Sequence, residues 1–264
     1  MTLSARVLGV GLVGPGLAGW RESRGVLAGE AAYVYAPTVI PAPEALPATE
    51  RRRAGKCVKL ALGAGIAAAA DAGLAAKDLL AVFTSSTGDG ENLHAICEVL
   101  ASDDRSISPT RFHNSVHNAP AGYWGIATGA MGATDSVAAF DASFTAGLLE
   151  AMGRIAADPA RPVVLVAYDA AYPEPLASTR PILDAFSVGL VLGSSLSQEG
   201  PLISIAITKS TPTPMQDAEL ERVRTGIPAA RALPLLGLLA AGKSGRVALD
   251  YLDGLALEVE VRGP

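Results

Sequence analysis

Apolar runs alternate with longer helix-like stretches along the chain and predict a regular series of strands and helices. Short runs rich in Val, Leu and Ala predict buried strands, because strands covered on both faces are continuously apolar. The predicted strands cover residues 6–13, 79–84, 136–140, 162–167, 186–192 and 202–208, followed by a closing hairpin of 247–249 and 255–261. This alternation predicts a layered α/β fold in which helices cover both faces of a sheet.

Start and stop signals place the helices between these strands. A long Ala-rich helix is expected from Thr49 through the basic triplet at 51–53 to about Asp71, with the triplet as a solvated start. Another helix begins after Ser108-Pro109, because proline suits a first helical turn. Further helices are expected over residues 93–101, 144–157 and about 216–223, and one more precedes the hairpin.

Composition and charge exclude several classes of protein. The 264 residues carry a net charge of −5, and their basic side chains are scattered, so nucleic acid is not an expected partner. Cys57 and Cys97 are too few for a disulfide framework and lack CxxC spacing, which favours a reducing, cytoplasmic location. The most apolar later run, residues 61–70, is about half a bilayer span, so no membrane insertion is expected.

Two segments carry the strongest pattern of chemistry. Residues 108–122 read Ser-Pro-Thr-Arg-Phe-His-Asn-Ser-Val-His-Asn-Ala-Pro-Ala-Gly, and residues 135–143 read Asp-Ser-Val-Ala-Ala-Phe-Asp-Ala-Ser. Together they resemble the beta-ketoacyl synthases, in which a helix that begins Ser-Pro and carries an Asn leads to a short strand and an Ala-Cys pair. Ser143 stands at the position of that nucleophilic cysteine. The resemblance covers about residues 5–210 and implies a thiolase-like fold, here as a single half of the duplicated condensing-enzyme fold.

The end of the chain narrows the resemblance. Residues 233–261 do not resemble the second half of a ketosynthase, which holds both histidines that condensing enzymes use. With residues 112–122, they are similar to the short proteins called beta-ketoacyl synthase chain length factors of aryl polyene clusters. We therefore expect one domain over residues 1–264, with a family-specific C-terminal segment of about 211–264.

This resemblance implies a partner and a role. A chain length factor pairs as a heterodimer with a full-length beta-ketoacyl synthase and shapes its acyl tunnel in fatty acid, polyene or polyketide biosynthesis. Contact with acyl carrier protein is expected to be indirect, and no cofactor is expected. Under the resemblance, the residues expected to line the tunnel or the interface are Phe112, Asn118, Tyr123, Trp124 and Phe144.

Position 143 also has a physical meaning of its own. A strand that enters a helix through a tight turn places this residue at a helix N-terminus, where free N–H groups favour an anion. A serine hydroxyl is too weakly acidic to ionise there and needs an adjacent general base. Ser143 is therefore either a small helix cap or an acyl acceptor served by His113 or His117. The second interpretation describes an independent acyltransferase or hydrolase acting on carrier-protein thioesters; a homodimeric acyl-binding module is a third.

Two further motifs are judged by their context. His113 and His117 stand four apart on the predicted helix and could share a face, but Asn114 replaces the Glu of a zincin and no third ligand is evident, so no metal site is expected. Residues 237–244 match a Walker A string, yet an apolar helix ends there and a strand follows. Gly242 is expected to be the C-cap of that helix.

Overall fold

Eight strands form one mixed sheet in the computed structural model, which describes residues 3–197 and 199–263. The strands are β1 (Leu3–Val13), β2 (Leu80–Thr84), β3 (Thr134–Val137), β4 (Val163–Asp169), β5 (Phe186–Ser194), β6 (Leu202–Thr208), β7 (Gly245–Asp250) and β8 (Ala256–Arg262). Their order across the sheet is β3-β2-β4-β5-β1-β6-β8-β7. β2 is parallel to both of its neighbours, β3 and β4, and the remaining pairs are antiparallel.

Helices cover both faces of this sheet. They are α1 (Trp20–Leu27), α2 (Ala48–Arg53), α3 (Lys56–Asp71), α4 (Gly90–Ala101), α5 (Pro109–Asn114), α6 (Ala119–Thr128), α7 (Ser143–Ala157), α8 (Leu176–Thr179), α9 (Ala218–Gly226) and α10 (Leu233–Ala241). The thiolase-like single-half fold expected from the resemblance is thus present, and the predicted strands other than that over residues 136–140 are confirmed to within a few residues at each end.

Two hydrophobic cores lie on opposite faces of the sheet, and successive side chains of β4 alternate between them. Val163 and Leu165 belong to the core under α7, whereas Val164 and Val166 belong to the core under α3. Glycine brings α3 close to the strands: a Cβ at Gly11 would collide with the carbonyl oxygen of Ala64. Both faces of β4 are fully buried, which accounts for its continuous apolar sequence.

The long helix expected from Thr49 to Asp71 is wrong, because the chain breaks it into α2 and α3. Ala54 and Gly55 between them are extended, with ψ angles of 119° and 176°. A Cβ at Gly55 would lie 2.6 Å from a carboxylate oxygen of Asp89, the residue that caps α4. The carboxylate thus occupies the space beside the break.

The strand expected over residues 136–140 is also corrected. β3 ends at Val137, and residues Phe140–Ala142 form a short 3-10 helix that leads into α7. Phe140 has a φ of 51°, a left-handed conformation that no strand accommodates.

The C-terminal segment adds to the same sheet. β8 pairs with both β6 and β7, and Gly242 ends α10 in the left-handed conformation with a φ of 62°, which confirms the C-cap expected from the sequence. The outer edge of β7 is occupied by Thr213, whose N–H donates to the carbonyl of Ala248 and whose hydroxyl oxygen accepts from the Ala248 N–H. Within the described residues, none of the helices has the length and hydropathy needed to cross a membrane.

Candidate functional site

Ser143 lies where the sequence places it, at the start of a buried helix behind a short strand. β3 leads through the 3-10 turn into α7, whose first residue is Ser143. The side chain is 1 % exposed. The strand–turn–helix geometry expected of a condensing-enzyme nucleophile is therefore present at this position.

The hydroxyl of Ser143 is engaged with the turn that precedes it. It donates a hydrogen bond of 2.7 Å to the carbonyl of Phe140 and accepts one of 3.0 Å from the N–H of Ala139. The N-cap residue of α7 is Ala142, which makes no side-chain cap hydrogen bond, so the helix cap expected at Ser143 is wrong in detail. Ser143 instead holds the turn between β3 and α7.

The two candidate histidines do not serve Ser143. α5 ends at Asn114, so His113 and His117 do not share a helix face, which corrects the i, i+4 arrangement expected from their spacing. His113 is exposed with its ring edge toward Tyr123, and Nε2 of His117 lies 3.2 Å from the carbonyl oxygen of Ser85. Across residues 3–197 and 199–263, no histidine hydrogen bonds to the Ser143 hydroxyl.

Among the residues that the structure describes, no three His, Cys, Asp or Glu side chains come together in a way that could hold a metal ion.

Three of the aromatic tunnel candidates belong to this chain's own core. Tyr123, Trp124 and Phe144 are at most 1 % exposed; the ring of Trp124 meets Phe83 edge to face at 5.9 Å. Their side chains are therefore not available to a partner, which corrects their place among the interface candidates. Phe112 and Asn118 are exposed, and Phe112 retains 67 % of its surface.

Exposed apolar side chains concentrate in the segment that leads to Ser143. Between residues 93 and 140, the large apolar side chains at least 47 % exposed are Leu93, Leu100, Phe112, Val116, Ile126, Met131 and Phe140. This segment contains α4, α5, α6 and the edge strand β3.

A chain of ion pairs, which the sequence did not reveal, joins the turn before Ser143 to the C-terminal segment. Asp141 accepts hydrogen bonds from Arg180 and Arg231, and Arg231 also donates to Asp250. Asp250 in turn binds Arg224, which pairs with Glu221. The six partners come from five separate segments, so no spacing in the sequence could have identified them.

A buried carboxylate lies at the carboxyl end of the parallel strands. Asp169, at the end of β4, accepts hydrogen bonds from the hydroxyls of Ser85 and Ser86 and from the N–H groups of Ser86 and Ala229. Burial raises the pKa of this carboxyl group to about 6, against the lowering effect of these four donors. Asp169 was not among the site residues expected from the sequence, where its only signal is an acidic residue at the end of a Val-rich strand.

A basic pocket of about 600 Å³ opens where α3 begins. Five cationic side chains line it, against the two carboxylates of Asp89 and Glu91. The cationic residues are Arg52, Arg53, Lys56, Lys59 and Arg111. The basic triplet at 51–53 thus contributes to a local positive surface in a chain whose net charge is −5.

Comparison with known proteins adds a family and a set of similar structures. The family model of the beta-ketoacyl synthase N-terminal domain matches residues 21–242. No curated protein matches the chain in sequence.

Among solved structures, the chain is similar to the ketosynthase ApeO in complex with its chain length factor ApeC from Xenorhabdus doucetiae. The two are 23 % identical, and the TM-score is 0.72 over 98 % of this chain and 99 % of that one. It is also similar to AntDE:AntF, a type II polyketide synthase acyl-carrier protein in complex with its ketosynthase, at 10 % identity and a TM-score of 0.78 over all of both chains. A third match, the ketosynthase from module 1 of the bacillaene synthase of Bacillus amyloliquefaciens, has 11 % identity and a TM-score of 0.58 over 80 % of this chain and 47 % of that one. At these identities the likeness concerns the fold.

Proposed function

Because the chain belongs to the beta-ketoacyl synthase family, we propose that it is a non-elongating subunit of the chain length factor type, which pairs with a full-length beta-ketoacyl synthase. The observation that carries this proposal is the hydrogen bonding of the Ser143 hydroxyl. The scaffold around the nucleophile's position is kept, but its occupant is a hydroxyl that hydrogen bonds to Ala139 and Phe140, and within the described part of the chain no histidine bonds to it. A subunit in this state contributes shape to an assembly rather than acyl transfer.

The two edges of the sheet differ in a way that supports pairing through β3. At the β7 edge, Thr213 satisfies both the N–H and the carbonyl of Ala248. At the opposite edge, the N–H of Ala81 in β2 donates to the carbonyl of Ala133, the residue before β3. Because the direction of the peptide groups alternates along a strand, the N–H and C=O groups of Thr134 and Ser136 then point away from β2. An edge with unpaired peptide groups is a template for a strand of another chain.

The exposed apolar side chains lie on the segment that ends at this open edge. Ile126 lies in α6 and Met131 lies between α6 and β3, and Met131 is 95 % exposed. Covering them with a partner would remove apolar surface from water, a main source of association free energy. We therefore place the interface on residues 93–140.

Phe112 is the side chain that we assign to the partner's acyl tunnel. It projects from the short helix α5 with 67 % of its surface exposed, within the same segment. A large side chain that closes a tunnel rejects longer acyl chains by steric exclusion. The substrates under this proposal are growing acyl chains of fatty acid, polyene or polyketide type, and the location is cytoplasmic.

We also propose that the basic pocket binds an acidic acyl carrier protein directly, in place of the indirect contact expected from the sequence. Arg111 lines the pocket and directly precedes Phe112, so a carrier protein bound there would lie beside the proposed interface. Opposite charge steers such encounters and fixes their orientation. The exchange of Arg52 and Lys59 for Glu is expected to weaken carrier binding to the assembled pair and to leave the pair itself intact.

Co-expression with the full-length beta-ketoacyl synthase encoded nearest to this chain tests the proposal. We expect the two proteins to elute together in size-exclusion chromatography at micromolar concentration, with light scattering giving a one-to-one mass. Separate elution of the two proteins would refute the heterodimer. A stable homodimer of this chain alone, holding co-purified lipid, would instead support an acyl-binding module.

A further inference from the structure

The turn between β3 and α7 exposes an aromatic ring from a backbone conformation that aromatic residues rarely adopt. Phe140 has a φ of 51°, and among residues 3–197 and 199–263 it is the only residue other than glycine with a positive φ. Its ring is nevertheless 59 % exposed. Such conformations persist only where the surroundings enforce them, and they concentrate at functional positions.

Both the backbone and the ring of Phe140 are held in place by neighbours. The Ser143 hydroxyl donates to the Phe140 carbonyl and accepts from the N–H of Ala139, the residue before it. The guanidinium carbon of Arg180 lies 3.6 Å from the centroid of the Phe140 ring. Arg180 is itself fixed by a 2.7 Å hydrogen bond to Asp141.

This arrangement brings the isolated chain little benefit. An aromatic side chain stabilises a fold mainly by burial, and more than half of this ring stays in water. A cation–π contact at an exposed site adds only a small amount. A strained, braced and exposed aromatic ring is instead what an interface anchor requires, because bracing reduces the entropy lost on binding.

We infer that Phe140 is an anchor of the interface with the full-length beta-ketoacyl synthase, and that Ser143, Asp141 and Arg180 are its positioning residues. The inference rests on the proposed function. Phe140 lies three residues after the end of β3, so a partner paired along that open edge would approach the ring. Ser143 then has a task at the nucleophile's position, which is to hold the Phe140 turn.

Dissociation constants for the full-length partner test the role of the ring. Phe140→Ala removes the ring, and Phe140→Gly also relieves the positive φ, so both are expected to weaken binding roughly tenfold or more, while Phe140→Gly keeps the thermal stability of the free chain. Leu252→Ala is the matched control, since Leu252 is 53 % exposed in the hairpin at the other edge of the sheet. It is expected to change affinity less than about twofold.

The possible outcomes separate this inference from the proposed function. If the wild-type chain does not bind the full-length synthase, the proposed function itself fails. If wild type binds and Phe140→Ala binds equally well, the proposed function survives and the anchor role is overturned.

A double-mutant cycle tests Arg180 as a positioning residue. If it acts through the ring, Arg180→Ala weakens binding in the wild-type background but adds nothing in the Phe140→Ala background. Arg180→Lys keeps a cation for Asp141 and loses the flat face over the ring, so it is expected to behave like Arg180→Ala. Equal losses in both backgrounds, or full binding by Arg180→Lys, would overturn the positioning role.

Fluorine NMR gives a chemical shift that would not change on partner binding if Phe140 had only a structural role. The chain has five phenylalanines, so 4-fluorophenylalanine labelling gives a spectrum in which Phe140→Leu identifies one resonance. We expect that resonance to shift in the free chain on Arg180→Ala and again on addition of the partner. A Phe140 resonance that is unchanged when wild-type protein binds its partner would contradict the anchor role.

Discussion

The backbone N–H of Ala229 donates a 2.9 Å hydrogen bond to the buried carboxylate of Asp169. Asp169 ends β4, while Ala229 belongs to the segment between α9 and α10, so this bond joins the C-terminal part of the chain to the parallel strands. The other oxygen of the same carboxylate accepts from Ser85 and Ser86 in the loop after β2. One carboxylate therefore joins three segments by hydrogen bonds at the carboxyl ends of the parallel strands.

The stability of the protein should depend on pH through Asp169. Its pKa in the folded protein is raised from 3.8 to about 6, mainly by burial. Because the folded pKa lies above the unfolded value, this group contributes most to stability below pH 4, and the contribution is lost as pH rises through 6. A shift of this size corresponds to about 3 kcal/mol.

Comparison with Asp169→Asn isolates this titration. In urea unfolding, the free energy of unfolding of wild type minus that of the variant should fall between pH 4 and pH 7 and then stay constant. Any fixed cost of the amide cancels in the pH dependence. A difference that is flat, or that rises with pH, would show that Asp169 does not titrate as its burial predicts.

Ser143→Cys should not create a condensing enzyme. A thiol at the start of α7 gains the helix dipole, but across the described residues no histidine hydrogen bonds to position 143. We expect no ketoacyl product when the isolated variant is incubated with acyl and malonyl carrier proteins and analysed by mass spectrometry. Detectable condensation would overturn the account of Ser143.

Ser143→Ala should destabilise the fold. It leaves the Ala139 N–H and the Phe140 carbonyl without their partner, which costs about 1–3 kcal/mol of unfolding free energy. Ser178→Ala is the control, because the Ser178 hydroxyl makes only an exposed local bond to Pro175. Equal effects of the two variants would argue against a structural task for Ser143.

Pairing through β3 should be sensitive to proline. Thr134→Pro removes an outward-pointing N–H from the open edge, so we expect loss of co-elution with the full-length synthase while the chain remains folded by circular dichroism. Arg246→Pro makes the same change on the edge strand at the other side of the sheet and should leave co-elution unchanged. If both variants assemble normally, the interface does not use β3.

The size of residue 112 should change product length. Phe112→Ala enlarges the space at the proposed end of the tunnel and should lengthen the acyl products of the assembled pair, whereas Phe112→Trp should shorten them. Mass spectrometry of extracts from co-expressing cells measures the distribution. Leu252→Ala, also exposed, is the control. Identical distributions for all variants would remove Phe112 from the tunnel.

The ion-pair chain should contribute more to stability than exposed pairs do. Asp250 accepts from Arg224 at 2.5 Å and from Arg231 at 2.7 Å, and its side chain is 19 % exposed. Asp250→Asn removes the carboxylate that the two arginines share, so that Arg224 keeps only Glu221 and Arg231 keeps only Asp141 as a counter-charge, and it should lower the free energy of unfolding by about 2 kcal/mol. Glu219→Gln breaks an exposed pair with Arg222 and should cost less than about 1 kcal/mol. If Asp250→Asn lowers the free energy of unfolding less than Glu219→Gln does, the linked ion pairs do not contribute more to stability than exposed pairs.

Hydrophobic periodicity by itself determined most of the fold. Continuous apolar runs identified β4 and β5 because both are buried on two faces, and Gly242 marked the end of α10 because only glycine readily adopts its left-handed conformation. Position 143 followed from the same local signals, since a strand, a turn and a helix start are encoded within a few neighbouring residues.

Tertiary structure alone decided the chemistry of the site. Distant residues lie at the break between α2 and α3 and at the end of α5: the Asp89 carboxylate lies beside Gly55, and the side-chain amide of Asn114 donates to the carbonyl of Arg53. The partners of the Ser143 hydroxyl, of Asp169 and of Arg180 come from turns and loops whose approach depends on how the sheet is assembled. Hydrogen bonds require a match of distance and angle within tenths of an ångström, and a linear sequence specifies such a match only once its strands are paired and its helices packed.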